Sequence, residues 1–99
     1  MFTITGHRAE YIRDPYGIVP GERYEFHLDL EVEEDDELFS EQGVYIRVIY
    51  GVQDGKGGIV KYELYEKGQP DKYLDFELED EELAETAAYC ESHLPGSGA

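Results

Sequence analysis

Alternation with a period of two residues constrains this chain more than any other feature. From Arg23 to Val32 the even positions read Tyr24, Phe26, Leu28, Leu30 and Val32, while the odd ones read Arg23, Glu25, His27, Asp29 and Glu31. Successive side chains of a strand point to opposite faces, so this stretch predicts a strand with one buried and one wet face. Val44 to Val52 repeats the pattern through Val44, Ile46, Val48, Tyr50 and Val52. Its other face, with Tyr45, Arg47, Ile49 and Gly51, is only partly polar, which suits a central strand.

Turn chemistry then joins the strands. Asp54-Gly55-Lys56-Gly57-Gly58 offers several positions that tolerate positive φ. Pairing Val52 with Val60 across it also pairs Tyr50 with Tyr62 and Val48 with Leu64, whereas a one-residue slip would set Val48 against Glu63. Gly68-Gln69-Pro70-Asp71 marks the next turn, where pairing Leu64 with Phe76 aligns Tyr62 with Leu78 and Glu66 with Leu74. In the first segment Phe2 and Ile4 are even but Ala9 and Tyr11 are odd, so a β-bulge is expected at Gly6. Asp14-Pro15-Tyr16-Gly17 and Pro20-Gly21 give a loop into the second strand.

After Leu78 the period lengthens. Asp80 suits a helix cap, Glu81 and Glu82 suit the positive helix start, and Leu83, Ala87, Cys90 and Leu94 follow at helical spacing. Pro95-Gly96 ends the helix and residues 95–99 read as a frayed tail. The expectation is one α+β domain over 1–99: about five mainly antiparallel strands in a curved sheet, with one C-terminal helix on the apolar face. Five strands at about 4.8 Å spacing span roughly 19 Å. One helix covers only about 10–12 Å of that. Sheet curvature, the acidic loop through Leu38 and Phe39, a second subunit or a ligand must cover the rest.

Charge narrows the partners. The 99 residues carry 24 Asp and Glu against 8 Lys and Arg, a net charge of −16, yet 40% hydrophobic content and nine tyrosines speak for a folded domain. Residues 22–42 and 63–91 each carry −9, residues 43–62 carry +2, and residues 1–21 carry none. Such a field disfavours nucleic-acid phosphates and anionic membranes and favours basic partners or cations. The start, Met1-Phe2-Thr3-Ile4-Thr5-Gly6-His7-Arg8, has no charged leader with an apolar run, and Cys90 is the single cysteine. A cytoplasmic location is the expectation.

Each chemical candidate has a plainer account beside it. Glu33-Glu34-Asp35-Asp36-Glu37 could attract Ca²⁺ or Mg²⁺, but it lacks the spacing and mid-loop glycine of an EF-hand and reads as a solvated loop. His7, His27 and Asp29 would form a His-His-carboxylate metal site if the first two strands made a hairpin; exposed strand histidines are the plainer account. His93 complements the negative end of the helix, and Cys90 reads as a buried, inert thiol. Tyr24, Tyr50 and Tyr62 on the apolar face would line a ligand pocket or serve as core. On the opposite face Tyr45, Arg47, Ile49 and Tyr65 gather, with Arg47 opposite Tyr65, as a protein-contact surface or as cross-strand packing. No nucleophile elbow, phosphate-cradling loop or zinc signature occurs, so no catalytic residue is named and no cofactor is implied.

The stretches Ile4-Thr5-Gly6-His7, Asp14-Pro15-Tyr16-Gly17-Ile18, Gly21-Glu22-Arg23-Tyr24-Glu25-Phe26, Asp35-Asp36-Glu37-Leu38 and Leu74-Asp75-Phe76 resemble a family of short, acidic, uncharacterised proteins from Bacillus-type bacteria. The resemblance covers most of the chain and implies a small bacterial cytoplasmic protein with no activity or site residues to carry over. Three functions remain in view. The first is a non-catalytic interaction module that meets a basic partner or a second copy of itself. The others are a small-ligand binder with its pocket between sheet and helix, and an acidic mimic of nucleic acid.

Overall fold

The alternating segments form five strands followed by one helix. They are β1 (Phe2–Ile12), β2 (Glu22–Val32), β3 (Val44–Gln53), β4 (Lys56–Glu66), β5 (Lys72–Leu74) and α1 (Asp80–Ser92). The computed structural model describes residues 2–12 and 21–94. The Asp14–Gly17 loop, Pro20, the Pro95-Gly96 stop and the tail expected from the sequence lie outside those residues. The strands lie in chain order in one sheet, and all four pairings are antiparallel. This is the α+β fold that the pattern predicts.

The even positions of β2 and β3 form the core. Phe26, Leu28, Ile46 and Val48 are fully buried beside Val44, Tyr50 and Leu64. Burying a side chain of this size contributes about 1.5–3 kcal/mol, so this face dominates the stability of the fold. The bulge falls between Ile4 and Gly6 of β1: Ile4 pairs with Leu30, but Gly6 pairs with Asp29 and Ala9 with Phe26.

Two expected registers are corrected, each by two residues. Across β3 and β4 Val48 pairs with Tyr62 and Ile46 with Leu64, not Tyr50 with Tyr62 and Val48 with Leu64. The turn is tighter than a five-residue loop, because Asp54 (φ 53) and Gly55 (φ 77) both take left-handed conformations and close a two-residue hairpin. A second bulge then sets Tyr50 opposite Ile59 and Ile49 opposite Lys61, leaving Val60 unpaired and 52% exposed instead of facing Val52. Val52 instead pairs with Gly57, whose lack of a side chain admits the Tyr50 ring: a Cβ there would lie 2.2 Å from Tyr50 Oη.

At the next turn the Gly68 N–H donates to the Asp71 carboxylate at 2.9 Å. Leu64 therefore pairs with Leu74 and Glu66 with Lys72, not with Phe76 and Leu74. The ladder stops after three residues. Leu78 still arrives beside Tyr62, but through its N–H, which donates to Tyr62 Oη at 2.9 Å.

The helix starts one residue earlier in its capping than expected. Glu79, not Asp80, is the N-cap, and its N–H donates to Glu82 Oε1 at 3.0 Å. Leu83, Ala87, Cys90 and Leu94 pack toward the core as their spacing predicts. Thr86 is also fully buried there, because its hydroxyl donates to the Glu82 carbonyl at 2.7 Å within the helix. The sheet beyond the helix is covered by Leu38 from the acidic loop and Leu78 from the segment before α1, both buried. Ser40 ties that loop to β4 through Glu66 at 2.6 Å. Among the described residues no layer covers the other face of the sheet.

Candidate functional site

The odd positions of the strands build the open face. Glu25 pairs with Ile49 and Ile49 with Lys61; His27 pairs with Arg47 and Arg47 with Glu63; Tyr45 pairs with Tyr65 and Tyr65 with Tyr73. Arg47 therefore lies opposite Glu63, and the expected Arg47–Tyr65 pairing is corrected by the same two-residue shift. Tyr45, Arg47, Ile49 and Tyr65 do share one face, as their alternation requires.

The rings form a row across four strands. His27 stacks on Tyr45 at 4.0 Å between centroids and 15° between planes, Tyr45 on Tyr65 at 5.3 Å and 18°, and Tyr73 meets Tyr65 edge-on at 5.8 Å. Tyr45 is only 8% exposed, because these neighbours enclose its ring. Its hydroxyl donates to the Asp71 carboxylate. Burial and that bond push the Tyr45 hydroxyl up to about 12, and the same bond holds the Asp71 carboxyl below its ordinary range.

Charge pairs brace the row. Arg47 donates from Nε and Nη2 to the two oxygens of Glu25 at 3.0 and 3.4 Å, and from Nη1 to Glu63 at 3.2 Å. This fork fixes the guanidinium between the two carboxylates. Asp29 takes the Lys67 ammonium at 3.2 Å and His27 Nε2 at 3.3 Å. Arg8 Nη2 lies 3.2 Å from His27 Nδ1. Arginine only donates, so Nδ1 accepts and the ring hydrogen sits on Nε2, facing Asp29. Burial, with Arg8 adding to it, lowers the His27 pKa below the ordinary histidine value.

The three residues of the expected metal site are not brought together. The bulge that moves Ala9 and Tyr11 into the odd phase moves His7 with them: it pairs with Leu28 on the helix side, while His27 and Asp29 face the open side. His7 Nδ1 bonds to Tyr89 Oη at 2.8 Å instead, and its ring meets His93 at 4.7 Å. His93 donates from Nδ1 to the Tyr89 carbonyl at 2.7 Å, serving the helix end as expected. Among the described residues no group of three His, Cys, Asp or Glu side chains is arranged to hold a metal ion.

Two of the three tyrosines of the expected pocket, Tyr24 and Tyr50, are core residues, and Tyr62 is half-buried against them. Tyr50 is 1% exposed and Tyr24 is buried with its hydroxyl donating to Glu22 at 2.7 Å. Tyr62 spends its oxygen on the Leu78 N–H. Tyr24 and Tyr50 are enclosed by the core, while Tyr62 lines a groove between β4 and α1. Cys90 lies fully buried behind the helix and burial pushes its thiol up to about 12, which removes thiolate chemistry at neutral pH.

The helix side carries a second feature that the sequence could not place. Asp36 and Glu37 from the acidic loop meet Glu77, Glu79, Glu81 and Glu82 around a groove of about 530 Å³ with Phe76 in its wall. The two acidic stretches of sequence thus share a surface. Residues 33–43 and 75–94 hold 14 of the 24 carboxylates and no lysine or arginine. The open face instead sets Arg8, Arg23, Arg47, Lys61 and Lys67 against Glu10, Glu25, Asp29, Glu31, Glu63 and Asp71, close to balance.

His27 and Tyr73 belong to the open-face cluster and were absent from the residues proposed for it. Their odd numbering, shared with Tyr45 and Tyr65, was the available signal. No described helix is long and apolar enough to cross a membrane. No curated protein and no solved structure matches the chain. Residues 2–97 match the model of a family of unknown function, DUF6509, and the chain belongs to that family.

Proposed function

We propose that this chain is a non-catalytic protein-interaction module of the bacterial cytoplasm and that it meets its partner on the open sheet face. One observation carries the reading: the His27–Tyr45–Tyr65–Tyr73 row beside an Arg47 fixed by Glu25 and Glu63. Tyr and Arg supply much of the energy at protein interfaces. Rings and a guanidinium already held in place lose little entropy on docking. His27, Arg47 and Tyr45 spend their polar groups inside the face, so it offers recognition surface and no poised acid or base. The test is affinity capture by the tagged protein, compared with Tyr65→Ser and Tyr73→Ser variants of unchanged thermal unfolding. Loss of one specific protein with both variants supports the reading, and full retention with both overturns it.

The acidic groove favours a second reading, a basic partner or mimicry of nucleic acid. Fourteen carboxylates without a lysine or arginine steer cations to that side. Capture through this groove would fall steeply with added salt and with Glu81→Gln and Glu82→Gln, and would survive Tyr65→Ser.

A further inference from the structure

The edge of the sheet beside β5 is left unfinished. β4 runs for 11 residues, from Lys56 to Glu66, but β5 pairs only with Leu64, Tyr65 and Glu66. Among the described residues, the stretch from Lys56 to Glu63 therefore presents one side of its backbone without a strand partner. Val60 stands 52% exposed on it. Beside it lies a mainly apolar groove of about 540 Å³ between the strand and α1, lined by Ile59, Val60, Tyr62, Leu83, Ala84 and Ala87. An unpaired edge with an apolar groove at its side is a template for another strand.

We propose that the occupant is a second copy of the same chain, joined β4 to β4 in antiparallel fashion about a two-fold axis between Ile59 and Val60. Charge and register both point to self-pairing. Residues 56–62 hold Lys56 and Lys61 and no carboxylate, so this is where two chains of net charge −16 approach with least repulsion. Opposing Ile59 to Val60 of the other copy brings each Lys56 opposite a Glu63, each Gly57 opposite a Tyr62 and each Gly58 opposite a Lys61. A two-fold axis between consecutive residues sets odd positions against even ones, which in a regular strand would oppose inner and outer faces. The Val60 bulge shifts the phase within β4. Gly57 and Tyr62 both lie opposite inner residues of β3, Val52 and Val48, while Gly58 and Lys61 lie opposite outer ones, Gly51 and Ile49. The bulge thus makes the faces agree across the axis. Two short sheets become one of ten strands, and the alanines let the two helices approach above the join.

This interface uses the strand edge and leaves the His27–Tyr45–Tyr65–Tyr73 row free, so it stands or falls apart from the partner reading. Light scattering on the full chain over rising concentration should show the mass climbing from 11.3 kDa toward twice that value, and more readily at high salt, which screens the acidic helices. Val60→Lys, which retains its thermal unfolding because the residue is exposed, should weaken association about tenfold or more. Lys56→Glu should weaken it by setting carboxylate against Glu63, and adding Glu63→Lys should restore it, which no purely structural effect would do. Tyr73→Ser on the open face should leave the mass unchanged. A monomer at every concentration and salt overturns the proposal. So does a dimer indifferent to Val60→Lys, or one abolished by Tyr73→Ser.

Discussion

The two sides of this sheet are built by opposite rules. The helix side is sealed by apolar packing and then coated with carboxylates, 14 of them in two segments that hold no lysine or arginine. The open side sets charge against charge, joining Arg47, Lys61 and Lys67 to Glu25, Glu63 and Asp29. Area buried from water holds a fold far more strongly than exposed ion pairs do. One face therefore stabilises the molecule, while the other is free to carry recognition.

Substitutions should separate the two sides by magnitude. Phe26→Ala, fully buried on the helix side, should cost about 3–5 kcal/mol in chemical denaturation. Gly57→Ala should cost about 1–3 kcal/mol, since its Cβ would press into the Tyr50 ring, which is itself enclosed. Arg47→Ala on the open face should cost no more than about 1 kcal/mol in the same measurement, because its partners are partly exposed. An Arg47→Ala loss as large as that of Phe26→Ala would erase the distinction.

Charge reversal should sharpen it further, with opposite signs on the two sides. Glu37→Lys, outside the helix, relieves repulsion in the acidic groove and should raise the melting temperature slightly, whereas Lys61→Glu, which abandons Glu63, should lower it. Two reversals with the same sign would mean that the groove carboxylates do not strain the fold.

The smallest effect is a pH dependence on the open face. His27 has its pKa lowered by burial and by Arg8, so on mild acidification the unfolded chain takes up a proton that the folded chain resists. Its contribution is complete above the ordinary value of 6.5 and falls as pH drops below it. His27→Gln should flatten the stability profile in that window. The lowered Asp71 carboxyl acts separately, with its contribution present above 3.8 and lost only at lower pH.

Composition and alternation alone determined the fold class, the even-numbered core from Tyr24 to Tyr50 and the outward positions of β2 and β3, because a strand's side-chain period is fixed by backbone geometry. They also determined the helix spacing of Leu83, Ala87 and Cys90, and the bulge near Gly6. Registers were another matter. A two-residue shift keeps every side chain on its face, so apolar matching could not distinguish Tyr62 opposite Tyr50 from Tyr62 opposite Val48; the positive φ of Asp54 and Gly55 decided it. The phase change at Gly6 was legible, but its consequence for His7 emerged only when the Tyr89 hydroxyl and His93 stood beside it. Only the tertiary structure joined the acidic loop to the start of the helix, and only there did Leu38 and Leu78 close the apolar face. Those contacts link residues some forty positions apart, and no local period encodes a distance of that kind.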